Sequence, residues 1–495
     1  MVSAHTQGIY KLPLRSGSLA LVLFFLFTCL HVVLTLLLAD SFQLAFLSYL
    51  VGLLALVVVL RFGGLTTVVG FLVALFVARY YFVPLAVKAI EGRPIWHNLQ
   101  SPFETFLVMI CSLLAMVVVS LFLGEKKFTN ESGLTLSDLK DSRRLVVMTT
   151  VIGIVAALLT AARAQRGTET EVSTGFLAGA GSLLEIFLPF SLALAIYVAL
   201  IQNRNVVRSP TVVLLFAINV PYAFTDLSRA SVLNLLLAIV IPYLFAKQRV
   251  PARVVVSMFV ALLLFIFVIN PAILYARSPH LGKVAYYSIE ERVESTSRFW
   301  VNTVTNPESL TKYNEAISKS PFYLRYFENH YGGLERFAIL PDNDALIAGT
   351  KAKGYGGWRT ITWAISMVPP RFIYPEKPLV GPGAYLGGVA GLRAPLDTET
   401  QWALGFTSEF YHAFSYVGVF IGTIGILGLW FLALKLLDLV GVMAQWKMLL
   451  MLSYWNAFSE SFLAGILYSL IPLVVFIILA DRIVRYSRRW QFATK

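Results

Sequence analysis

The stretch "FETFLVMICSLLAMVVVSLFLG" (Phe103–Gly124) decides the fold. Its one charge, Glu104, stands near its start, and the rest is almost wholly apolar over the roughly 20 residues a helix needs to cross a bilayer. In hydrocarbon a backbone must satisfy its own hydrogen bonds, so a run of this kind reads as a spanning helix. Comparable runs recur near Leu19–Leu38, Phe42–Leu60, Leu65–Val87, Leu145–Ala162, Phe176–Ile201, Pro210–Phe224, Ser231–Phe245 and Val254–Tyr275. Three more follow near Tyr411–Leu437, Met448–Leu463 and Ile466–Ile483. The chain is therefore expected to be an all-α polytopic membrane protein with about twelve transmembrane helices. The Pro210 and Ser231 runs are short, and read as tilted helices or as half-helices meeting at a polar site.

Composition agrees. Of 495 residues, 58% are hydrophobic and 14% charged, and the mean hydropathy is +0.74. A soluble chain this apolar would lack polar surface to stay in solution. The first run is too long, and lacks the small-residue pattern, for a cleaved signal peptide, so it is expected to be a retained helix. Cys29 and Cys111 both lie in apolar runs and read as small core residues.

The formal charge of +13 raises nucleic acid as a partner. The placement of the basic residues argues against it. With the N-terminus in the cytoplasm, the inside segments collect Lys126, Lys127, Lys140, Arg143, Arg144, Lys247, Arg249, Arg253 and the tail arginines from Arg482 to Arg489, among others. The outside ends hold only Arg79, Lys88, Arg93, Arg163, Arg166 and Arg229. This asymmetry puts both termini inside and sets an even helix count, so the basic excess is topogenic and no nucleic acid is expected. The expected location is the plasma (inner) membrane, multi-pass.

Three regions follow: a membrane bundle of about nine helices over 1–275, an outer (periplasmic) cap over 276–410, and closing membrane helices with a basic tail over 411–495. The cap mixes aromatics with charges, which suits a folded layer on the membrane better than a solvated tether. Within it, "GGLERFAILPDNDALIAG" (Gly332–Gly349) places Leu334, Phe337, Ala338 and Leu340 at helical spacing before Pro341. "GYGGWRTITWAISMVPP" (Gly354–Pro370) is too short to span and reads as a re-entrant or interfacial helix. The ribbon "SMVPPRFIYPEKPLVGPG" (Ser366–Gly383) then holds five prolines and three charges. Its restricted φ angles leave little freedom to lose on binding.

No metal pattern is visible: the six histidines show no ligand spacing and no Cys–His cluster exists. Asp342–Asp344 ("DND") reads as a turn or helix cap, with a metal pair as the weaker alternative. Outer arginines carry more information, because a guanidinium stays charged and donates two parallel hydrogen bonds to phosphate. Arg229, Arg336, Arg359, Arg371 and Arg393 belong to this group, with Lys377 beside Arg371 in the ribbon. The bland alternative pairs each with a nearby carboxylate or lets it snorkel. Glu409 and His412 in "FTSEFYHAF" share one helical face, and either could take a proton from a sugar hydroxyl. For Glu409 the rival role is that of a first-turn acid satisfying its own helix dipole, with Thr407 or Ser408 as the cap. Glu185 and Glu460 are acids in apolar surroundings, each either functional or paired.

"MVPPRFIYPEKP" (Met367–Pro378), "GPGAYLGG" (Gly381–Gly388) and "LGFTSEFYHAFSYVGVFIGTIGILG" (Leu404–Gly428) together resemble the C-terminal half of O-antigen polymerases of the Wzy type. "LSRAS" (Leu227–Ser231) and "LERF" (Leu334–Phe337) resemble that family's arginine elements. The resemblance implies a helical glycosyltransferase fold related to O-antigen ligases. It implies metal-independent glycosyl transfer, with no cofactor, at the outer membrane face. The donor would be a glycan on polyprenyl diphosphate, and the acceptor the sugar end of another lipid-linked repeat unit. Arg229, Arg336, Arg359 and Arg371, with Lys377 nearby, would hold the diphosphate; Glu409 would be the base and His412 a second candidate. A chain-length regulator and a flippase are the implied pathway partners. The chain departs from the family in one respect: the Arg-to-Gly spacing of its two loops is one residue longer than in some members, so no role transfers to Arg393. Rival readings are an O-antigen ligase-like transferase and, in another class, a transporter or flippase of lipid-linked glycan.

Overall fold

The computed structural model describes residues 41–123, 136–162, 184–225, 229–246, 251–270, 272–273, 289–306, 326–328, 337–369, 382–392, 402, 404–455 and 457–493, with isolated positions 308, 311, 315 and 374. Among the described residues every regular element is helical. Among the described residues seven helices are long and apolar enough to cross a membrane. These are α1 (Phe42–Arg61), α2 (Val68–Ile90), α3 (Pro102–Leu123), α4 (Leu136–Ala162), α8 (Ala252–Ile269), α13 (Phe406–Leu439) and α16 (Leu463–Ala493). Three shorter apolar helices, α5 (Phe187–Ile201), α6 (Pro210–Thr225) and α7 (Arg229–Phe245), stand between them. The expected first run, Leu19–Leu38, lies outside the described residues.

Two boundaries differ from expectation. The run expected to span as Met448–Leu463 is broken into α14 (Trp446–Tyr454) and α15 (Ala457–Glu460) before α16 begins. Glu460 explains this, since an acid in an apolar run has reason to leave a helix where it meets a protein partner, here Arg79. The run expected as Phe176–Ile201 is interrupted by a turn at Glu185 and Ile186 before α5 begins at Phe187; its residues 176–183 lie outside the described residues.

In a bilayer, helices gain little from burying apolar surface against each other, and close packing with interhelical hydrogen bonds matters more. α3 packs on α1 and α13, and α5 on α4, α6 and α7. Gly153 of α4 lies so close to Leu188 of α5 that a Cβ there would sit 2.6 Å from the Leu188 nitrogen. Ser112 and Thr423 link α3 to α13 at 3.2 Å, both fully buried.

Polar residues gather at the two ends of this bundle. At the C-terminal end of α13, Asp481 of α16 accepts from the Met443 nitrogen (3.0 Å) and the Trp446 indole (3.2 Å) and pairs with Arg485 at 2.8 Å. Gln445 donates to Ser142, and Arg143 to Gln202, at the same end. Beyond α8, Ile289–Thr305 forms α9, whose Trp300 donates to the Phe224 carbonyl of α6 at 3.4 Å, and the opposite end carries the helices α10 (Leu340–Lys353), α11 (Arg359–Met367) and α12 (Gly383–Val389). From Leu463 to Asp481, α16 rises about 27 Å at ~1.5 Å per residue, close to the ~30 Å hydrocarbon thickness.

Pro341 opens a helix here. Its missing N–H costs nothing in the first turn, so α10 runs on from it and stops at Gly354, whose φ of 94° favours glycine. The DND residues form that first turn. Asp344 accepts from the Gln100 nitrogen (2.5 Å), the Ser101 nitrogen (3.0 Å) and the Thr105 hydroxyl (2.7 Å). It thus caps α3 from another element and joins the cap to the bundle. Asn343 accepts from Tyr80 at 3.4 Å, and the Ile339 nitrogen donates to the Arg79 carbonyl. Lys88 and Glu91 pair at 2.7 Å under the ring of Tyr326 and hold the 326–328 segment.

Candidate functional site

Glu409 lies in the first turn of α13 and is fully buried. Its Oε2 accepts from the Leu463 nitrogen at 2.7 Å, at the N-terminus of α16. Its Oε1 is buried and faces the hydroxyl of Thr360 of α11, itself buried. A carboxylate at a helix N-terminus satisfies an orphan N–H and opposes the positive end of the dipole. Glu409 satisfies an N–H at the start of α16, not of its own helix, and so ties α13 to α16 where both meet α11.

His412, one turn on, is 2% exposed, and both its ring nitrogens are engaged. Nδ1 lies 2.9 Å from the Thr350 hydroxyl and Nε2 lies 3.0 Å from the Tyr385 hydroxyl. Thr350 donates to the Leu346 carbonyl at 2.7 Å. A hydroxyl has one proton, so this bond assigns the Nδ1 proton to histidine and leaves Nε2 to accept from Tyr385. The chain of bonds runs Tyr385 to His412 to Thr350 to Leu346. The ring also presses on Gly356, where a Cβ would sit 2.4 Å from Nε2, and the Gly356 nitrogen donates to the His412 carbonyl. Only glycine leaves that space.

Arg359, the first residue of α11, is exposed, and its guanidinium lies over the Tyr385 ring 4.1 Å from the centroid. Trp358 and Tyr355 beside it are exposed as well, and they pack edge-on against Phe414 and Tyr411 of α13. Just there α13 breaks: Phe414 and Ser415 leave helical angles, with Ser415 at φ 58°. Tyr355 donates to Ser415 at 3.3 Å. Irregular backbone at a membrane helix end is tolerated where protein lines it.

Arg229, the first residue of α7, belongs to a neighbouring cluster. It lies within electrostatic reach of Arg79, which is buried and ion-paired with Glu460. Arg79 sits in a π-helical turn, Ala78–Phe82, inside α2, a geometry often found at functional sites. The structure thus brings Glu409, His412 and Arg359 together around the start of α11 and sets Arg229 with Arg79. Arg336, Arg371, Lys377 and Arg393, and most of the proline ribbon, lie outside the described residues.

Sequence reasoning gave no role to Tyr385, Thr350 or Arg79. A signal existed for Arg79, an arginine inside an otherwise apolar run. None existed for Tyr385, which is one of 22 tyrosines.

A cavity of about 300 Å³ opens beside α10, lined by Asn98, Gln100, Tyr326, Asp342, Asp344 and Gly349 among others; His412, Tyr385 and Arg359 are not among its walls. Asp344 sits in its wall, and burial pushes its carboxyl above the ordinary aspartate range despite three hydrogen bonds that favour the charged form. No group of three or more His, Cys, Asp or Glu among the described residues is placed to hold a metal ion. No family model, curated protein or solved structure matches the chain.

Proposed function

We propose that this membrane protein is a glycosyltransferase that polymerises polyprenyl-diphosphate-linked oligosaccharide repeat units, building O-antigen or exopolysaccharide at the outer face of the plasma membrane. One observation carries the reading. An exposed guanidinium, Arg359, lies against Tyr385, whose hydroxyl is bonded to a buried imidazole, at the cap end of an apolar bundle. That pairing supplies the two things a diphosphate-leaving transfer needs: a fixed cation for the leaving group and a group to accept the hydroxyl proton. A lipid-linked donor would reach both from the bilayer.

In this reading Arg359 neutralises the departing diphosphate, with Arg229, Arg336, Arg371 and Lys377 as further donors. His412 is the base, in preference to Glu409, which is sealed and engaged with Leu463. The expected full architecture has about twelve spanning helices, an outer cap before the last three and both termini in the cytoplasm. A flippase and a chain-length regulator of the same pathway are its partners.

The experiment uses purified full-length protein in nanodiscs, supplied with a polyprenyl-diphosphate repeat unit. A ladder of longer lipid-linked glycans is expected. Transfer only onto a lipid A core acceptor would identify a ligase. Movement of glycan across the bilayer with no bond formed would overturn the transferase reading.

A further inference from the structure

We propose that Tyr385 is the residue that takes the proton from the attacking hydroxyl, with His412 receiving it one bond further in. The proposal rests on the transferase reading above.

Access to the imidazole is narrow. His412 Nε2 is bonded to the Tyr385 hydroxyl and Nδ1 to Thr350, and the ring is 2% exposed. The Gly356 backbone closes over Nε2. A substrate hydroxyl therefore reaches the imidazole only by expelling Tyr385. Tyr385 itself is partly exposed and lies against the exposed Arg359 guanidinium. Its oxygen is the outermost polar atom of the relay and the one beside the cation that would hold a diphosphate.

The relay is also built to accept a proton without rearranging. Thr350 gives its hydrogen to Leu346, so Nδ1 carries its own in both states. In the neutral ring Nε2 accepts from Tyr385, and in the imidazolium it donates to Tyr385 along the same 3.0 Å line.

The hydroxyl oxygen of the acceptor sugar forms the new bond to the anomeric carbon of the donor. The bond from that carbon to the diphosphate oxygen breaks, and its electron pair leaves on the diphosphate beside Arg359. The hydroxyl proton passes to Tyr385 Oη as the Tyr385 proton passes to His412 Nε2. The imidazolium returns its proton by the same path to solvent water after the product leaves.

The test compares wild type, Tyr385→Phe and a variant with 3,5-difluorotyrosine at 385, each full length in nanodiscs with a polyprenyl-diphosphate repeat unit. Tyr385→Phe is expected to slow extension by roughly 10²- to 10⁴-fold while donor binding stays within a few-fold. The fluorinated phenol is more acidic, so the pH–rate profile should move to lower pH. A residue that only packs would leave that profile in place, and an unmoved profile overturns the proposal even if the Phe variant is inactive or misfolded. Extension by Tyr385→Phe at the wild-type rate or faster would show that the imidazole is reached directly, and overturns it too. A wild type that extends no lipid-linked glycan overturns the transferase reading, and this proposal with it.

Discussion

Arg79, in the π-turn of α2, is ion-paired with Glu460, the last residue of the short α15 that precedes α16. The pair joins an early helix to the broken segment near the end of the chain. Arg79 is 4% exposed, so removing its partner strands a buried charge. Arg79→Ala is expected to destabilise the protein by roughly 3 kcal/mol, and Glu460→Ala by a similar amount. In a double-mutant cycle read by thermal melting in detergent, the two losses should be strongly non-additive. Additive losses would show that the pair is not coupled. Arg79→Lys should rescue only in part, because an ammonium lacks the planar fork.

Glu409 separates a cap from a base. Glutamine keeps an oxygen for the Leu463 nitrogen, so Glu409→Gln is expected to fold and to retain glycan extension within a few-fold. Glu409→Ala strands that N–H and should cost about 1–3 kcal/mol. Abolished extension by a stably folded Gln variant would restore Glu409 as the base.

Arg359 should matter to the reaction and little to the fold, because it is exposed. Arg359→Ala is expected to lower extension by about 10²- to 10³-fold, the size of effect seen when one charge-stabilising donor is removed. Arg359→Lys should recover part of it. The assay is the glycan ladder, with melting temperature as control; an undiminished ladder assigns the diphosphate elsewhere.

Asp344 gives a pH signature. Burial raises its pKa in the folded protein above the unfolded value. Such a group favours folding in its protonated form. Its contribution is full below the ordinary aspartate range and is lost as pH rises through the raised value. Wild type should therefore lose stability relative to Asp344→Asn on going from about pH 4 to about pH 8. Parallel melting curves across that range would contradict the shift. Asp344→Ala, which strands the Gln100 and Ser101 nitrogens, should be the most damaging change at this position.

Much of the fold was legible because apolar length is a local signal. Phe103–Gly124 needed no partner to be read, and α3 occupies nearly that range. The short Gly354–Pro370 helix was legible for the same reason, between its Gly and Pro marks, and α11 fills it. Where reading went astray, the deciding contact was distant. Tyr454 and Glu460 share an apolar run, yet α14 ends at one and Glu460 turns to meet Arg79, hundreds of residues earlier. Asp344 was legible as a turn or cap residue, but the helix it caps was not, because its partners are in the 100–105 segment.

The candidate site divides in the same way. Glu409 and His412 could be picked out from one segment, since residues three apart share a helical face. Their contacts could not, because Leu463 and Thr360 meet one and Tyr385 and Thr350 meet the other, all from other segments.

By itself the sequence determined that this is a helical membrane protein and where most of its described apolar helices fall, and it picked out an acid and a histidine three residues apart. Hydrocarbon forces that outcome locally, because each spanning run must close its own backbone hydrogen bonds. Only the tertiary structure decided that Glu409 is spent on a helix end and that His412 meets the outside through Tyr385. A buried polar atom takes its chemistry from the partner that desolvation forces on it, and here those partners come from other helices.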